Sequence, residues 1–212
     1  MAGAIDTLNS LARRVPIWSV YLLLALPIPW FFYQGLNGGL SRDPVKGLEH
    51  LYGLWALRLL IAGLIVTPLR RTVGLNLLRF RRAIGVMTFV YALAHLTVWA
   101  VLDVQTLSRV WADILKRPYI TIGMAGFLCL IPLAATSNNW SLRKLGARWR
   151  KLHRLTYVAA LLAALHFLWL AKGLQLEPLI YAGVILALLI YRLPFKRIRQ
   201  RLSQGGVNRI RS

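Results

Sequence analysis

The sequence predicts an all-α polytopic membrane protein, a single bundle of six transmembrane helices with both termini in the cytoplasm. The chain has 212 residues, and 58% of them are hydrophobic, which is too apolar for a soluble domain of that length. Its apolar runs are continuous and approach the roughly 20 residues that cross a bilayer as a helix. Continuous runs favour helices, because a spanning strand shows alternation. Since the connections are short, residues 1–212 are predicted to form one domain.

Six apolar runs are predicted to span the membrane, and they lie in chain order at about 15–36, 51–69, 83–102, 118–136, 155–171 and 177–191. The first run follows two arginines, as a signal peptide would. It is nevertheless long, contains three prolines and has no clear cleavage site, so it is interpreted as a retained span. The single cysteine, Cys129, lies inside the fourth run, so an intramolecular disulfide is excluded and a cysteine-based metal site is not expected.

The net charge of +21 is distributed in a way that predicts the topology. The N-terminal segment and the segments 70–82, 143–154 and 192–212 carry 20 of the 27 lysines and arginines, and all four fall on one side of a six-span bundle. The positive-inside rule makes that side cytoplasmic. The other side carries only Arg42, Lys46, Arg109, Lys116, Arg117 and Lys172. The basic segments are therefore interpreted as topology signals and contacts with the lipid bilayer, and a nucleic-acid partner is not expected.

Two histidines inside predicted spans are the strongest functional signal. His95 lies in the third run and His166 in the fifth, seven and five residues from the outer ends, so similar depth is expected. Intramembrane ionisable residues are usually functional, and neutral imidazole is a common ligand of metals and haem iron. The pair predicts one haem held between two helices. Trp99 and Trp169 could close such a pocket, but the favoured interpretation of both is an aromatic residue at the membrane interface. Interhelical hydrogen bonding of two polar side chains stays open as the alternative.

Three further residues are candidates for cofactor binding. His153 lies 13 residues before His166, about 20 Å along a straight helix, and is a candidate metal ligand at a second, inner redox position. His50 lies at the outer mouth of the second span. Arg58 lies inside that span, where an insertion cost of roughly 2.5–3.5 kcal/mol predicts an anionic partner such as a haem propionate or a quinone oxygen. For each of them, an ordinary polar residue near the interface stays open as the alternative.

The sequence contains no dinucleotide-binding fingerprint, P-loop or zinc signature. Two classes of function other than electron transfer therefore stay open. One is a small proton-coupled transporter or channel, with His95 and His166 as relay groups. The other is a haem-free assembly scaffold.

Several spaced motifs carry a resemblance to a known family. They are Asp43-Pro44-Val45-Lys46 with His50, Thr67-Pro68-Leu69, Arg117-Pro118-Tyr119, Leu145-Gly146 with Arg148-Trp149 and Leu152-His153, and Glu177-Pro178-Leu179-Ile180-Tyr181-Ala182-Gly183. Over nearly its whole length the chain resembles the MsrQ family, the haem-binding membrane subunits of periplasmic protein-methionine-sulfoxide reductase systems. More distantly it resembles the ferric-reductase-like transmembrane domain shared with NADPH oxidases.

The resemblance implies a multi-pass protein of the bacterial inner membrane that binds haem b, in one or two copies, and FMN. It implies electron transfer from membrane quinones to a periplasmic molybdenum-containing reductase subunit that repairs oxidised periplasmic proteins. His95, His153 and His166 match the family's haem-associated histidines, and His50 matches another family position. The wider superfamily carries a second histidine on the third span, and Arg82 stands at that place here.

The expected activity is electron transfer alone. About 20 residues follow the last predicted span, too few for a flavin–NADPH domain, so electrons are expected from a quinol or a separate protein. Cys129 is unsuited to thiol reduction chemistry because it is predicted to lie inside a span. The chain is therefore expected to oxidise quinol and to leave sulfoxide reduction to a separate catalytic subunit.

Overall fold

The computed structural model describes residues 2–171 and 175–192, and the regular secondary structure of those residues is entirely helical, without a strand. The helices are α1 (Ala2–Arg14), α2 (Ile17–Ala25), α3 (Pro27–Leu36), α4 (Pro44–Thr72), α5 (Arg81–Thr97), α6 (Leu107–Lys116), α7 (Pro118–Ala135), α8 (Asn139–Leu145), α9 (Ala147–Leu152), α10 (Leu155–Leu170) and α11 (Leu176–Tyr191). A 3₁₀ turn, Leu78–Phe80, precedes α5, and a π-helical segment, Val98–Val104, follows it. The all-α class predicted from the sequence is confirmed.

Within the described ranges, five helical segments are long and apolar enough to cross a membrane. They are Ile17–Leu36, Pro44–Thr72, Leu78–Val104, Pro118–Ala135 and Ala147–Leu170. Helix α11 is apolar but has 16 residues. These segments and α11 overlap the six predicted runs, although their bounds differ. Lys172 and the basic residues beyond Arg192, which contribute to the predicted charge asymmetry, lie outside the described residues.

The second span begins earlier than predicted, at Pro44 rather than near residue 51. Asp43 caps the helix, because its Oδ1 accepts the backbone N–H groups of Val45 and Lys46, each at 3.1 Å. Pro44 occupies the first helical position, where its missing N–H costs nothing. The first two turns carry Lys46 and Glu49, so hydropathy alone places them in a loop, whereas the capping signal predicts the true start.

Two other spans are interrupted. The first divides into α2 and α3 at Leu26, directly before Pro27. The fifth consists of α9 and α10, which meet at His153 and Arg154. His153 therefore ends α9 and is not part of the same straight helix as His166, so the 20 Å separation expected for one continuous helix does not apply. The amphipathic helices α1 and α6 were not predicted, because hydropathy windows detect spans only.

Helix α4 is the central helix of the bundle. One of its faces packs against α10 and α11, in a core formed by Leu57, Leu60, Ile61, Leu64, Ala160, Ala164, Ala182 and Ile185. Its other face packs against α5, in a core formed by Leu48, Tyr52, Leu59, Met87, Tyr91 and Val98. Helix α7 packs against α10 and also contacts α5. Helices α4, α5, α7 and α10 thus form a ring, and the functional cavity lies inside it.

Two tyrosine hydroxyls fasten the first span to this ring. Tyr52 Oη donates to the Ile28 carbonyl at 2.8 Å, and Tyr91 Oη donates to the Leu24 carbonyl at 2.9 Å. Both rings are buried, and Tyr91 also stacks on Trp55 with ring centres 5.7 Å apart. Since helix association in lipid gains little from hydrophobic burial, such interhelical hydrogen bonds help to fix the position of α2 and α3.

We expect Tyr91→Phe to lower the free energy of unfolding in detergent by about 0.5–1.5 kcal/mol, because it removes one interhelical hydrogen bond and leaves the Leu24 carbonyl without its donor. Tyr33→Phe is the matched control, since Tyr33 is exposed on α3. Denaturation curves of the two variants and the native chain measure the difference. Equal stability of Tyr91→Phe and Tyr33→Phe would contradict a role for the hydroxyl.

Candidate functional site

A cavity of about 430 Å³ lies inside the ring of α4, α5, α7 and α10. Most of its wall is apolar, with leucines, alanines, glycines and aromatic side chains from all four helices. Three histidines line it, namely His50, His95 and His166. An apolar pocket with a few converging polar groups is the usual form of a cofactor site.

The His95 side chain is held by helix α4. Its Nδ1 lies 2.8 Å from the Glu49 carbonyl oxygen. The ring also packs against Gly53, one helical turn further along, where an added Cβ would lie 3.0 Å from Nδ1. A side chain at this position would crowd the imidazole, so glycine leaves it room to reach the carbonyl of the preceding turn.

The His166 side chain is held in the same way by helix α7. Its Nδ1 lies 2.7 Å from the Tyr119 carbonyl oxygen, and a Cβ on Gly123 would lie 2.8 Å from that nitrogen. In both cases the histidine donates to a backbone carbonyl of the neighbouring helix. Its ring packs against the glycine that lies four residues after that carbonyl on the same neighbouring helix. The pairs α4–α5 and α7–α10 thus present their histidines by one repeated arrangement.

This arrangement determines the tautomer of both rings. A backbone carbonyl can only accept, so each Nδ1 carries the proton and each Nε2 carries the lone pair. Neither Nε2 forms a hydrogen bond with any residue in the described part of the chain. The interhelical bonds expected under the alternative interpretation are therefore present, but they use only one nitrogen of each ring and leave the other able to bind a metal.

The two rings face each other across the cavity. The ring centres of His95 and His166 are 6.3 Å apart, with an angle of 75° between the ring planes. Two imidazoles that bind one metal ion from opposite sides have centres about 6 Å apart, because each metal–nitrogen bond is about 2 Å long and the nitrogen lies about 1 Å from the ring centre. The structure therefore brings together the two histidines that the sequence paired, at a spacing that fits one shared iron.

The donor set fits haem iron better than a bare metal ion. Among the described residues, no cluster of three or more His, Cys, Asp and Glu side chains could hold a metal ion. A structural or catalytic zinc ion needs three or four protein ligands, whereas haem iron takes four nitrogens from the porphyrin and needs only axial ligands from the protein. The residues present thus fit a haem group held by His95 and His166.

The remaining predicted residues around the cavity have mixed outcomes. His50 lines the same cavity, and its ring lies 6.2 Å from that of Phe167 between the ring centres. Trp99 is buried and lines the cavity, as expected of a lid. Trp169 is 55% exposed and is not part of the cavity wall, which favours the alternative of an interface residue over that of a lid. Its exposure on α10 is typical of an aromatic residue that faces lipid or the interface.

His153 lies outside the cavity in a polar cluster between α7 and α9. Its Nε2 lies 3.1 Å from Thr136 Oγ1, and its ring stacks on Trp149 with centres 3.8 Å apart. Thr136 donates its only hydroxyl proton to the Pro132 carbonyl at 2.6 Å, so His153 Nε2 must be the donor to Thr136. The tautomer is thus opposite to that of the cavity pair, and this geometry disfavours His153 as an axial ligand.

Arg58 is exposed on the surface of α4 and does not line the cavity. Its Nε donates to the Tyr181 hydroxyl of α11 at 2.8 Å. Within the part of the chain that the structure describes, its hydrogen-bond partner is this neutral group rather than a carboxylate. The structure therefore separates Arg58 from the pair formed by His95 and His166.

Four functional residues escaped sequence reasoning. Gly53 and Gly123 provide the space for the histidine rings, while Lys46 and Arg117 are the two cations of the cavity wall. Each glycine lies four residues after the residue whose carbonyl accepts the histidine proton, near the outer end of a span. That spacing becomes meaningful only once the facing helix is known.

Comparisons with known proteins identify the family of the chain. The family of ferric reductase-like transmembrane components matches residues 50–164. Proteins of Brucella ovis, Brucella canis and Brucella suis, each named as the heme-binding subunit MsrQ of protein-methionine-sulfoxide reductase, are 50% identical over 206 residues, covering 94% of this chain and 94% of their own. No solved structure matches the chain.

We expect Gly123→Ala to weaken haem binding by about tenfold or more, because the new Cβ displaces the His166 ring from the Tyr119 carbonyl. Gly85→Ala on α5 is the matched control, since a Cβ there meets no atom within 4 Å. Haem per protein and the visible spectrum, measured in purified protein, give the readout. Equal haem content in the two variants would contradict the steric argument.

Proposed function

This chain belongs to the ferric reductase-like transmembrane family and, within it, to the MsrQ heme-binding subunits, and we propose that it transfers electrons through haem b to a periplasmic methionine-sulfoxide reductase. The observation that carries the proposal is the pair His95 and His166, with ring centres 6.3 Å apart inside an apolar cavity. In this proposal His95 and His166 would hold one haem iron through their Nε2 atoms. Bound haem supplies one-electron transfer, and the protein sets its position and potential.

The protein's own groups prepare the ligands. The Glu49 and Tyr119 carbonyls accept the Nδ1 protons, which holds each ring in one orientation and makes Nε2 a better donor to iron. Buried Trp99 and the apolar wall limit the access of water to the site. His50, on the same wall, is proposed to contact the edge of the cofactor rather than its iron.

One haem is the stoichiometry that the described geometry supports best. His153 uses Nε2 in a hydrogen bond, and Arg82, at the place of the superfamily's second histidine, donates to Asn139 at 2.8 Å. We therefore propose that His153 contributes to an inner position between donor and haem without binding iron. FMN remains part of the proposal on the family resemblance alone, and no described residue is assigned to it.

Six crossings with both termini in the cytoplasm remain our proposed topology. Helix α11 supports it, since its 16 mostly apolar residues extend about 24 Å at 1.5 Å per residue, which covers most of the roughly 30 Å of the hydrocarbon core. The strongly basic connections between Thr72 and Arg81 and around α8 and α9 then lie on the cytoplasmic side. The cavity entrance at Lys46 and Arg117 then faces the periplasm.

The electron donor is proposed to be a membrane quinol and the acceptor a periplasmic, molybdenum-containing subunit. The periplasmic face around 37–50, 103–117 and 172–177 is proposed to dock that partner, although residues 172–174 lie outside the described part of the chain. Helix α6 supports this choice, because it presents an exposed apolar stripe of Leu107, Trp111 and Leu115, with exposed fractions of 84%, 64% and 68%. Aromatic and aliphatic residues in such a stripe are frequent anchors of protein interfaces.

A proton-coupled transporter is less well supported. Its relay would need a polar, water-filled path, whereas the wall of the cavity that holds His95 and His166 is largely apolar. Both histidines also have one nitrogen fixed by a carbonyl, which restricts the tautomer exchange that a relay requires.

We expect His95→Ala and His166→Ala each to abolish the low-spin bis-histidine spectrum and to lower haem content strongly, because each removes one axial ligand. His50→Ala and His153→Ala are the matched controls and should keep the low-spin signature. Visible and electron paramagnetic resonance spectra of the purified variants provide the measurement. If both cavity variants keep full low-spin haem, the assignment of His95 and His166 as ligands is wrong. Loss of half the haem in His153→Ala would instead support a second haem held by His153.

We expect methionine-sulfoxide reduction in proteoliposomes with quinol as donor to require both this chain and the periplasmic subunit. His166→Ala should then reduce the rate to the level of vesicles without this chain, whereas Gly85→Ala should leave it unchanged. Substantial quinol-driven reduction by this chain alone would overturn the assignment as an electron-transfer subunit. A quinol that reduces no haem in the native protein would exclude quinol as the donor.

A further inference from the structure

We propose that Lys46 and Arg117 form a cationic clamp at the cavity entrance that binds the two propionates of the haem, one to each side chain. This inference rests on the proposed haem site and extends it to residues that neither the sequence motifs nor the relatives' names assign. Of the side chains that line the cavity, these two are the cationic ones. Haem b carries two carboxylates at one edge, so its binding requires a polar end of the site.

The position of both cations follows from the repeated histidine arrangement. Lys46 lies three residues before Glu49, whose carbonyl holds His95, and Arg117 lies two residues before Tyr119, whose carbonyl holds His166. Each cation is therefore about one turn nearer the membrane surface than the histidine on its side of the cavity. A haem ligated by both histidines has its iron between the two pairs, so a propionate edge turned outward meets one cation on each side.

The present contacts leave donors available. Lys46 Nζ contacts Glu49 Oε2 at 3.1 Å and Asp103 Oδ2 at 2.6 Å, which uses two of its three protons. Arg117 uses Nε toward Asp113 at 3.5 Å and one Nη1 proton toward the Tyr119 hydroxyl at 3.4 Å. The guanidinium has five N–H donors, so at least three are not used by these contacts. Each side chain can thus take a propionate oxygen without losing its carboxylate partner.

The same contacts also keep the two cations in place at the entrance. Both side chains are about half exposed, at 53% and 52%, so by themselves they would move freely in water. Asp103 holds Lys46 and also lines, with Arg117 and Asp113, a second recess of about 390 Å³ beside the entrance. The acidic residues at this rim are therefore interpreted as positioning groups for the cations rather than as repulsion against the cofactor.

The structure does not favour Arg58 as the residue that binds a haem propionate. Arg58 lies on the outer surface of α4, bonded to Tyr181, and not on the cavity wall. The sequence predicts a haem propionate as one possible partner of Arg58. The proposal instead pairs the propionates with Lys46 and Arg117, which lie nearer the aqueous phase. Such a position is less costly, since charged groups near the interface stay hydrated.

The test uses the haem-loaded protein and the variants Lys46→Gln and Arg117→Gln, each purified in detergent, with spectroelectrochemical titration of the haem. Loss of a cation beside a propionate should lower the midpoint potential, because the added electron is less well compensated. The native protein should bind haem about threefold to tenfold more tightly than each variant does, as expected of a partly exposed charge-assisted bond. Lys46→Arg should restore most of both properties.

Two controls make the result specific. Arg109→Gln removes a cation of α6 that lines the neighbouring recess but not the cavity, and it should change neither property. The dimethyl ester of haem lacks free carboxylates, so it should bind the native and the Lys46→Gln apoprotein equally well. An equal loss with haem and with its ester would refute the clamp.

The outcomes also separate this inference from the proposed function. Native protein that holds no low-spin haem would contradict the proposed function itself. Native low-spin haem with unchanged potential and affinity in both glutamine variants would contradict only the clamp. An effect of Arg109→Gln as large as that of Lys46→Gln would replace the clamp by a general surface-charge effect.

Discussion

The hydrogen bond from each cavity histidine to a backbone carbonyl on the neighbouring helix is the interaction on which the rest of the site depends. It joins α5 to α4 through Glu49 and α10 to α7 through Tyr119. In the membrane interior an imidazole without a partner is costly, so these bonds stabilise the helix pairs. The same bonds orient both rings and leave both Nε2 atoms with a lone pair. Structural stability and ligand chemistry therefore share one interaction.

That interaction imposes a strict steric condition on the facing helix. An imidazole can reach a carbonyl inside a helix only if the residue one turn further along lacks a side chain, and Gly53 and Gly123 meet this condition. Small residues allow membrane helices to approach closely in general. Here the space is occupied by a ring rather than by another backbone, so the close approach keeps a cavity open between the two pairs.

The sequence predicted the helical class, the approximate spans and the central pair of histidines, since hydropathy and depth along a span are local properties. It misplaced the start of α4, because Lys46 and Glu49 look like loop residues until the Asp43 cap is considered. It made His153 a candidate metal ligand at a second, inner position, because the contacts with Thr136 and Trp149 that argue against this form only in the fold. The roles of both glycines likewise depend on contacts between helices that no single run reveals.

The two ends of the bundle differ in a way that bears on the path of electrons. At one end the cavity opens between Lys46 and Arg117, among exposed charged groups. At the other end, Trp149 donates to the Thr136 carbonyl at 2.9 Å and stacks on His153, so this end carries a polar cluster whose groups are hydrogen-bonded to one another. In the topology proposed above, the open end faces the periplasm and the end with the polar cluster faces the cytoplasm. A donor that approaches the helix ring from within the bilayer, as the proposed quinol would, does not depend on an opening at either end.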